Sequence, residues 1–244
     1  MPPETARPTA GAPAAVCEGL VRIYWSPSGE VHALKGVDAV VPRGRLTAIT
    51  GPSGSGKSSL LRILAAQDRP TAGRAEVAGH ALAGMSARRL RALRRRHIGY
   101  VFPRPPQNLL PHLTAREHLA MAGRLRGVAR AEVARETGEL LDLLGIADRA
   151  GHLPGQLSGG EQQRLAFAQA VVGRPALVVA DEPTSELDST TTADLLAAVH
   201  QLTGTGTTVV MATHDATVVD QMRRRVIELD RGAVVRDEVQ AMYA

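Results

Sequence analysis

The octapeptide Gly51, Pro52, Ser53, Gly54, Ser55, Gly56, Lys57 and Ser58 constrains this chain more than any other stretch. It fits G-x-x-x-x-G-K-[ST] in full, a loop whose glycines let successive backbone N–H groups turn toward a polyphosphate. The context is the one such a loop requires, because LTAIT before it reads as a strand and SLLRILAAQ after it as a helix. A helix that starts near Lys57 points its positive end at the same anion. Lys57 adds a mobile charge for the β- and γ-phosphates, and the Ser58 hydroxyl is a candidate Mg²⁺ ligand.

Around this unit the chain alternates. VCEGLVRIYW and EVHALKGVDAVVP read as strands turning at Pro27 and Gly29. Ala176–Ala180 (ALVVA) and Thr207–Thr213 (TTVVMAT) read as strands on either side of TTADLLAAVHQL, a helix by the spacing of Leu195, Leu196, Val199 and Leu202. RVIELDRGAVVRDE reads as a hairpin turning at Asp230–Gly232. Alternating strands and helices imply an α/β domain on a parallel sheet with both faces covered. From about Met85 to Leu157 the character is instead Arg-rich and helical, broken by a proline-rich run at Pro103–Pro111.

The 244 residues suffice for one such domain with an insertion, but not for that domain plus a multi-span membrane domain. Aromatics make up 2%, which argues against a nucleic-acid surface built on stacking rings. Cys17 is the sole cysteine, so there is no internal disulfide, and a reducing compartment is the natural setting. The Pro- and Ala-rich start, MPPETARPTAGAPAAV, is a poor signal peptide and reads as a loose tail, about residues 1–15.

Hydrolysis of a triphosphate needs a carboxylate for the metal and a group that positions water. VVADE supplies both at a strand's carboxyl end: Asp181 as a metal ligand and Glu182 as the base or orienting group for water. Asp181 lies 124 residues after Lys57, so a segment is inserted between the two halves of the site. His214 ends another strand, in MATHD, and is either structural or a group that senses transition-state charge. LSGGEQQR (Leu157–Arg164) opens a helix. Ser158 and Glu161 have capping-box spacing, while Gly159 and Gly160 are poor helix formers that leave N–H groups open to an anion. An anion supplied by a second copy, in a head-to-tail dimer, is one economical arrangement.

Taken together, the phosphate loop, LSGGEQQR and VVADEP resemble the ATP-binding cassette (ABC) ATPases over about residues 17–236. VHALKGVD, IGYVF, NLLPHLTAREHL and THD further resemble the lipoprotein-release and macrolide-export branch. The resemblance implies an α/β P-loop NTPase fold with a RecA-like parallel sheet. To that core it adds an N-terminal antiparallel β subdomain and a helical subdomain inserted at about 85–165, within one domain spanning 16–240. It implies ATP and Mg²⁺ as cofactors, a second copy as partner in an ATP-sandwiched dimer, and a separately encoded integral-membrane permease. Transport is expected to be of export type, with the subunit cytoplasmic and peripheral on the inner face of the cell membrane. A role like that of the branch's cell-division ATPase stays open.

Tyr24 looks like the aromatic that stacks on adenine, and Ser58 and Ser59 close the phosphate loop. Ser158, Gly159 and Gly160 look like the signature that meets the partner's γ-phosphate. Ser185–Asp188 looks like the D-loop at the dimer interface, with Asp188 near nucleotide, and His214 looks like the switch histidine. One departure stands out. The family places a metal-binding glutamine directly after VF; this chain has Pro103 there, and Gln107 is the available substitute.

The formal net charge of +5 has a local origin. Arg88, Arg89, Arg91, Arg94, Arg95 and Arg96 share one stretch without an acid, and setting them aside leaves 23 basic against 24 acidic residues. Leu90 and Leu93 mark one helical face there and the arginines cover the rest, either as a solvated face or as a weak contact for anionic lipid. No general affinity for nucleic acid is expected.

Overall fold

The computed structural model describes residues 12–27, 29–222 and 225–239; most of the expected tail lies outside them. Residues 12–15 do not belong to a tail. Ala14 and Ala15 are buried, and the Ala14 backbone bonds to both Val41 and Ala78. Strands β1 (Ala15–Ser26) and β2 (Gly29–Val41) pair antiparallel, as their hairpin pattern predicts. After β3 (Leu46–Thr50) and helix α1 (Lys57–Leu64), the chain returns as β4 (Ala72–Val77) and β5 (His80–Ala81) to complete an antiparallel sheet ordered β2-β1-β4-β5.

Helix α2 (Ala87–His97) leads into strand β6 (Ile98–Val101), followed by α3 (Pro105–Asn108), α4 (Ala115–Arg126), α5 (Arg130–Leu143) and α6 (Gly159–Val171). The rest alternates: β7 (Leu177–Asp181), α7 (Ser189–Gly204), β8 (Val209–Ala212), α8 (Ala216–Met222), β9 (Arg225–Asp230) and β10 (Ala233–Glu238). These strands form a second sheet ordered β10-β9-β3-β8-β7-β6, parallel except for the β9–β10 hairpin. The α/β fold with a parallel core is therefore as expected.

Burial explains why β3, β7 and β8 are near-continuous apolar runs. Every residue in them is buried, because both faces of the sheet are covered. Successive residues alternate between two hydrophobic clusters. Leu46, Ala48, Val178, Ala180, Val209 and Met211 face a cluster with α4, α6 and α7. Ile49, Leu177, Val179, Val210 and Ala212 face another with α1, α2, β1 and β4.

The stretch 85–165 is not helical throughout. Ile98–Val101 is the edge strand of the parallel sheet, in register with Leu177–Ala180. Four residues between an arginine-rich helix and a proline-rich run offer too little periodicity to read as a strand. The strand is locked to α6 by a close approach: a Cβ on Gly99 would lie 2.2 Å from the Ala170 carbonyl oxygen. Arg126, at the end of α4, fastens the same place. Its guanidinium donates to the carbonyls of Gln169, Ala170 and Val172 at 2.8–3.1 Å, satisfying orphan acceptors at the end of α6. Burial pushes its pKa down to about 10, opposed by the Glu136 carboxylate.

Gly99→Ala should therefore destabilise the chain by about 1–3 kcal/mol through overpacking. Urea unfolding of the variant measures this, and an unchanged midpoint would disprove the tight β6–α6 contact.

Candidate functional site

The carboxyl ends of β3, β8 and β7 lie side by side, with Ile49 and Asp181 both in register with Ala212. Three chain turns leave the sheet there: the phosphate loop after β3, Asp181–Glu182 at the end of β7, and Thr213–His214 after β8. The loop is held from behind by backbone. A Cβ on Gly51 (φ 131°) would sit 2.0 Å from the Leu229 carbonyl oxygen, and one on Gly56 (φ 107°) 2.5 Å from that of Ala33. Gly232, in the β9–β10 turn, donates its N–H to the Ser55 carbonyl at 2.9 Å and accepts from Lys35 N–H at 2.8 Å. Lys57 is buried and its ammonium donates to the carbonyls of Gly51 (2.7 Å) and Pro52 (3.1 Å). Ser53 and Gly54 are exposed at the tip, and Ser59 is half-buried in the first turn of α1.

Ser58 Oγ donates to Asp181 Oδ1 at 3.4 Å, so two of the three expected metal ligands meet. Burial raises the Asp181 pKa, and the neighbouring Glu182 charge adds to it, while the Ser58 hydrogen bond opposes both. Glu182 has a left-handed backbone (φ 44°), with its N–H donating to the Ala212 carbonyl at 3.1 Å. His214 Nδ1 lies 3.1 Å from Glu182 Oε1, and both side chains open on a cavity of about 300 Å³. Tyr100 of β6 was not singled out from the sequence. Burial, then the Asp181 charge, push the pKa of its phenol up to about 12, so its hydroxyl stays protonated.

Tyr24 sits outside this cluster. Its hydroxyl donates to Asp68 Oδ2 at 2.9 Å, and the Arg22 guanidinium lies over its ring at 4.3 Å while also pairing with Asp68. A stacked base must take the opposite face or displace Arg22. Gln107 is exposed on α3; among the described residues no hydrogen bond joins it to Ser58 or Asp181.

Ser158 caps α6 in a capping box: its backbone N–H donates to Glu161 at 2.7 Å, and Glu161 N–H donates to its hydroxyl at 3.2 Å. Ser158 and Gly159 are exposed, and a Cβ on Gly159 would meet open space. Gly160 is different. It is buried, and a Cβ there would come within 2.2 Å of Thr191 Cγ2 on α7. Thr191 in turn donates its N–H and hydroxyl to Asp188, the N-cap of α7, at 2.9 and 2.8 Å. Those bonds, the backbone one foremost, lower the Asp188 pKa. One signature glycine therefore answers to packing within its own chain, which the sequence pattern alone does not reveal.

The sequence model of the ABC transporter family matches residues 34–185. The chain is 41% identical over 222 residues to a macrolide export ATP-binding/permease protein of Rhodopseudomonas palustris, covering 91% of this chain and 33% of that one. The corresponding protein of Shigella flexneri is also 41% identical, over 216 residues. The chain spans about a third of the length of these relatives. An ABC transporter ATP-binding protein of Thermotoga maritima is 44% identical over 200 residues, covering 82% of this chain and 85% of that one. Among solved structures, a dimeric post-hydrolysis state of the ATP-binding cassette MJ0796 bound to ADP and Pi matches with a TM-score of 0.81. It is 33% identical, covering 94% of this chain and all of that one. The structure of cbiO1 from Clostridium perfringens, part of the ABC transporter complex cbiONQ, matches with a TM-score of 0.83 at 26% identity.

The Gly160 contact yields a packing test that needs no ligand. Gly160→Ala should cost about 1–3 kcal/mol. Thr191→Ser, which removes Cγ2 but keeps the hydroxyl for Asp188, should recover most of that loss in the double variant. Thermal unfolding of the single and double variants measures the coupling, and strict additivity would refute the close approach.

Proposed function

This chain belongs to the ABC transporter family, and from that we propose that it is an ATP-hydrolysing cassette, two copies of which close around two ATP molecules to drive an integral-membrane permease. Export is the direction favoured by the likeness to macrolide exporters. The observation that carries the reading is the pairing of Glu182 with His214, 3.1 Å apart, beside the Ser58–Asp181 pair at the mouth of the phosphate loop.

In this reading the loop N–H groups and the N-terminus of α1 hold the β- and γ-phosphates. Lys57 exchanges its two loop carbonyls for phosphate oxygens, a trade its long stem permits. Ser58 and Asp181 present hard oxygen donors, one of them a buried carboxylate, and so fit Mg²⁺. When bound, Mg²⁺ neutralises charge on the phosphate oxygens. Glu182 orients water and takes up its proton as the oxygen bonds to the γ-phosphorus and the bond to ADP breaks. His214 holds the Glu182 carboxylate and lies within reach of the charge on the departing phosphate. Tyr24 stacks on the adenine, and Ser53 and Gly54 form the open lip of the loop.

The second copy supplies the rest. Exposed Ser158 and Gly159, with the N-terminus of α6 behind them, contact the γ-phosphate held by the partner, and Ser185–Asp188 lies at the interface. The solved dimeric cassettes support this arrangement. No helix among the described residues is long and apolar enough to cross a membrane, which is consistent with a peripheral position on the inner face. There the exposed arginines of α2 rest against anionic headgroups. Arg88, Arg89, Arg91, Arg95 and Arg96 are exposed and make no ion pair among the described residues.

Two experiments test this. Glu182→Gln should keep ATP binding, lower turnover by at least ~10²-fold, and accumulate an ATP-dependent dimer by light scattering. Ser158→Asp retains an N-cap acceptor but repels phosphate, so in the Glu182→Gln background it should abolish that dimer without lowering nucleotide affinity. A Glu182→Gln protein with full turnover would overturn the assignment. For the lipid contact, vesicles containing phosphatidylglycerol should bind the chain more tightly than neutral vesicles, by roughly 1 kcal/mol per engaged arginine, and salt should remove the difference. Equal binding would reject it.

A further inference from the structure

Position 103 cannot tie the segment after β6 to anything through a side-chain amide or an N–H, because it is proline. The segment is nevertheless closed, and by a single side chain. The Phe102 N–H donates to Asn108 Oδ1 at 2.7 Å, and Asn108 Nδ2 donates to the Phe102 and Arg104 carbonyls, both at 3.1 Å. The one acceptor and both donors of the carboxamide are thus engaged with the backbone of residues 102–104.

This clamped segment borders three pieces of the site. At its start, Val101 pairs with Ala180, next to Asp181, on the neighbouring strand, and Tyr100 packs edge-on against Phe102, with ring centroids 4.6 Å apart. In its middle, Arg104 Nε lies 3.4 Å from Glu186 Oε1 in the turn before α7. At its end, the Asn108 carbonyl accepts from Gln169 Nε2 on α6 at 3.3 Å. Beyond it, the Leu110 N–H donates to Nε2 of the fully buried His118, whose Nδ1 donates to the Thr114 carbonyl, both at 2.8 Å. The downstream half is therefore anchored to α4. The Arg104–Glu186 pair is exposed and contributes little by itself, so the shape of residues 102–108 depends on Asn108.

We propose that Asn108 is a positioning residue for ATP-driven dimerisation: it holds the Phe102–Asn108 segment so that the Asp181 strand, the Glu186 turn and the signature helix α6 keep a fixed relation. The proposal rests on the ATP-sandwiched dimer described above. It gives Asn108 the mechanical task that residue 103 cannot perform here, and it assigns Asn108 no contact with nucleotide or metal.

The test compares Asn108→Ala with Asn108→Asp, which keeps the acceptor for Phe102 N–H but loses both donors. In the Glu182→Gln background, a fluorescent ATP analogue reports monomer affinity and sedimentation reports the ATP-dependent dimer. Asn108→Ala should weaken dimerisation by about tenfold or more and leave monomer affinity within about twofold, with Asn108→Asp in between. With Glu182 intact, kcat should fall about fivefold or more at a KM within about twofold. Unchanged dimerisation and kcat would overturn the proposal. So would nucleotide affinity and dimerisation lost together in step with the melting temperature, since that is the signature of a merely structural residue. If Glu182→Gln itself forms no dimer with ATP, the sandwich reading fails, and the kcat-against-KM split still decides the role of Asn108.

Discussion

Backbone passing backbone with no side chain between them is the constraint on which this site depends. Gly51 fits under the Leu229 carbonyl and Gly56 under that of Ala33, so the phosphate loop is braced by a strand near the end of the chain and by one near its beginning. The Gly232 turn completes the brace by linking Ser55 to Lys35. Peptide dipoles fixed in this way need no reorganisation when an anion arrives, which is the condition under which N–H groups bind phosphate well. The antiparallel sheet and the C-terminal hairpin are therefore part of the phosphate site, although neither contributes a charged side chain to it.

Much of this was legible in the residues. The octapeptide, the doubly buried apolar runs of β3, β7 and β8, and the amphipathic face of α2 with Leu90 and Leu93 inward each carry a periodic or motif-level signal. What was not legible lacks such a signal. β6 is four residues long, and β4 (AGRAEV) mixes glycine, arginine and glutamate because half of it faces solvent. The glycine pair of LSGGEQQR looks uniform as sequence, yet one member faces open space and the other touches α7. That distinction depends on Thr191, thirty-one positions after Gly160 and beyond the reach of local pattern. Tyr100 and Arg22 likewise acquire their roles only through tertiary neighbours.

Arginine serves two unrelated purposes in this chain. On α2 it keeps charge in water, where it is cheap and available to an anionic surface. Arg126 does the reverse: it carries its charge into the protein to meet three carbonyls at the end of α6, at a desolvation cost visible in its lowered pKa. A count of basic residues cannot separate the two.

The contact of Gly160 with Thr191 has a geometric consequence for assembly. It presses the first turn of α6 against the first turn of α7, and the Asp188 cap binds that second turn to the Ser185–Leu187 bend. In the proposed dimer, the two stretches that an approaching copy would meet are thus one stiff lip rather than two independent loops. A stiff lip engages both at once or neither, so closure between copies would be all-or-none at each site, with no half-docked state held by one stretch alone.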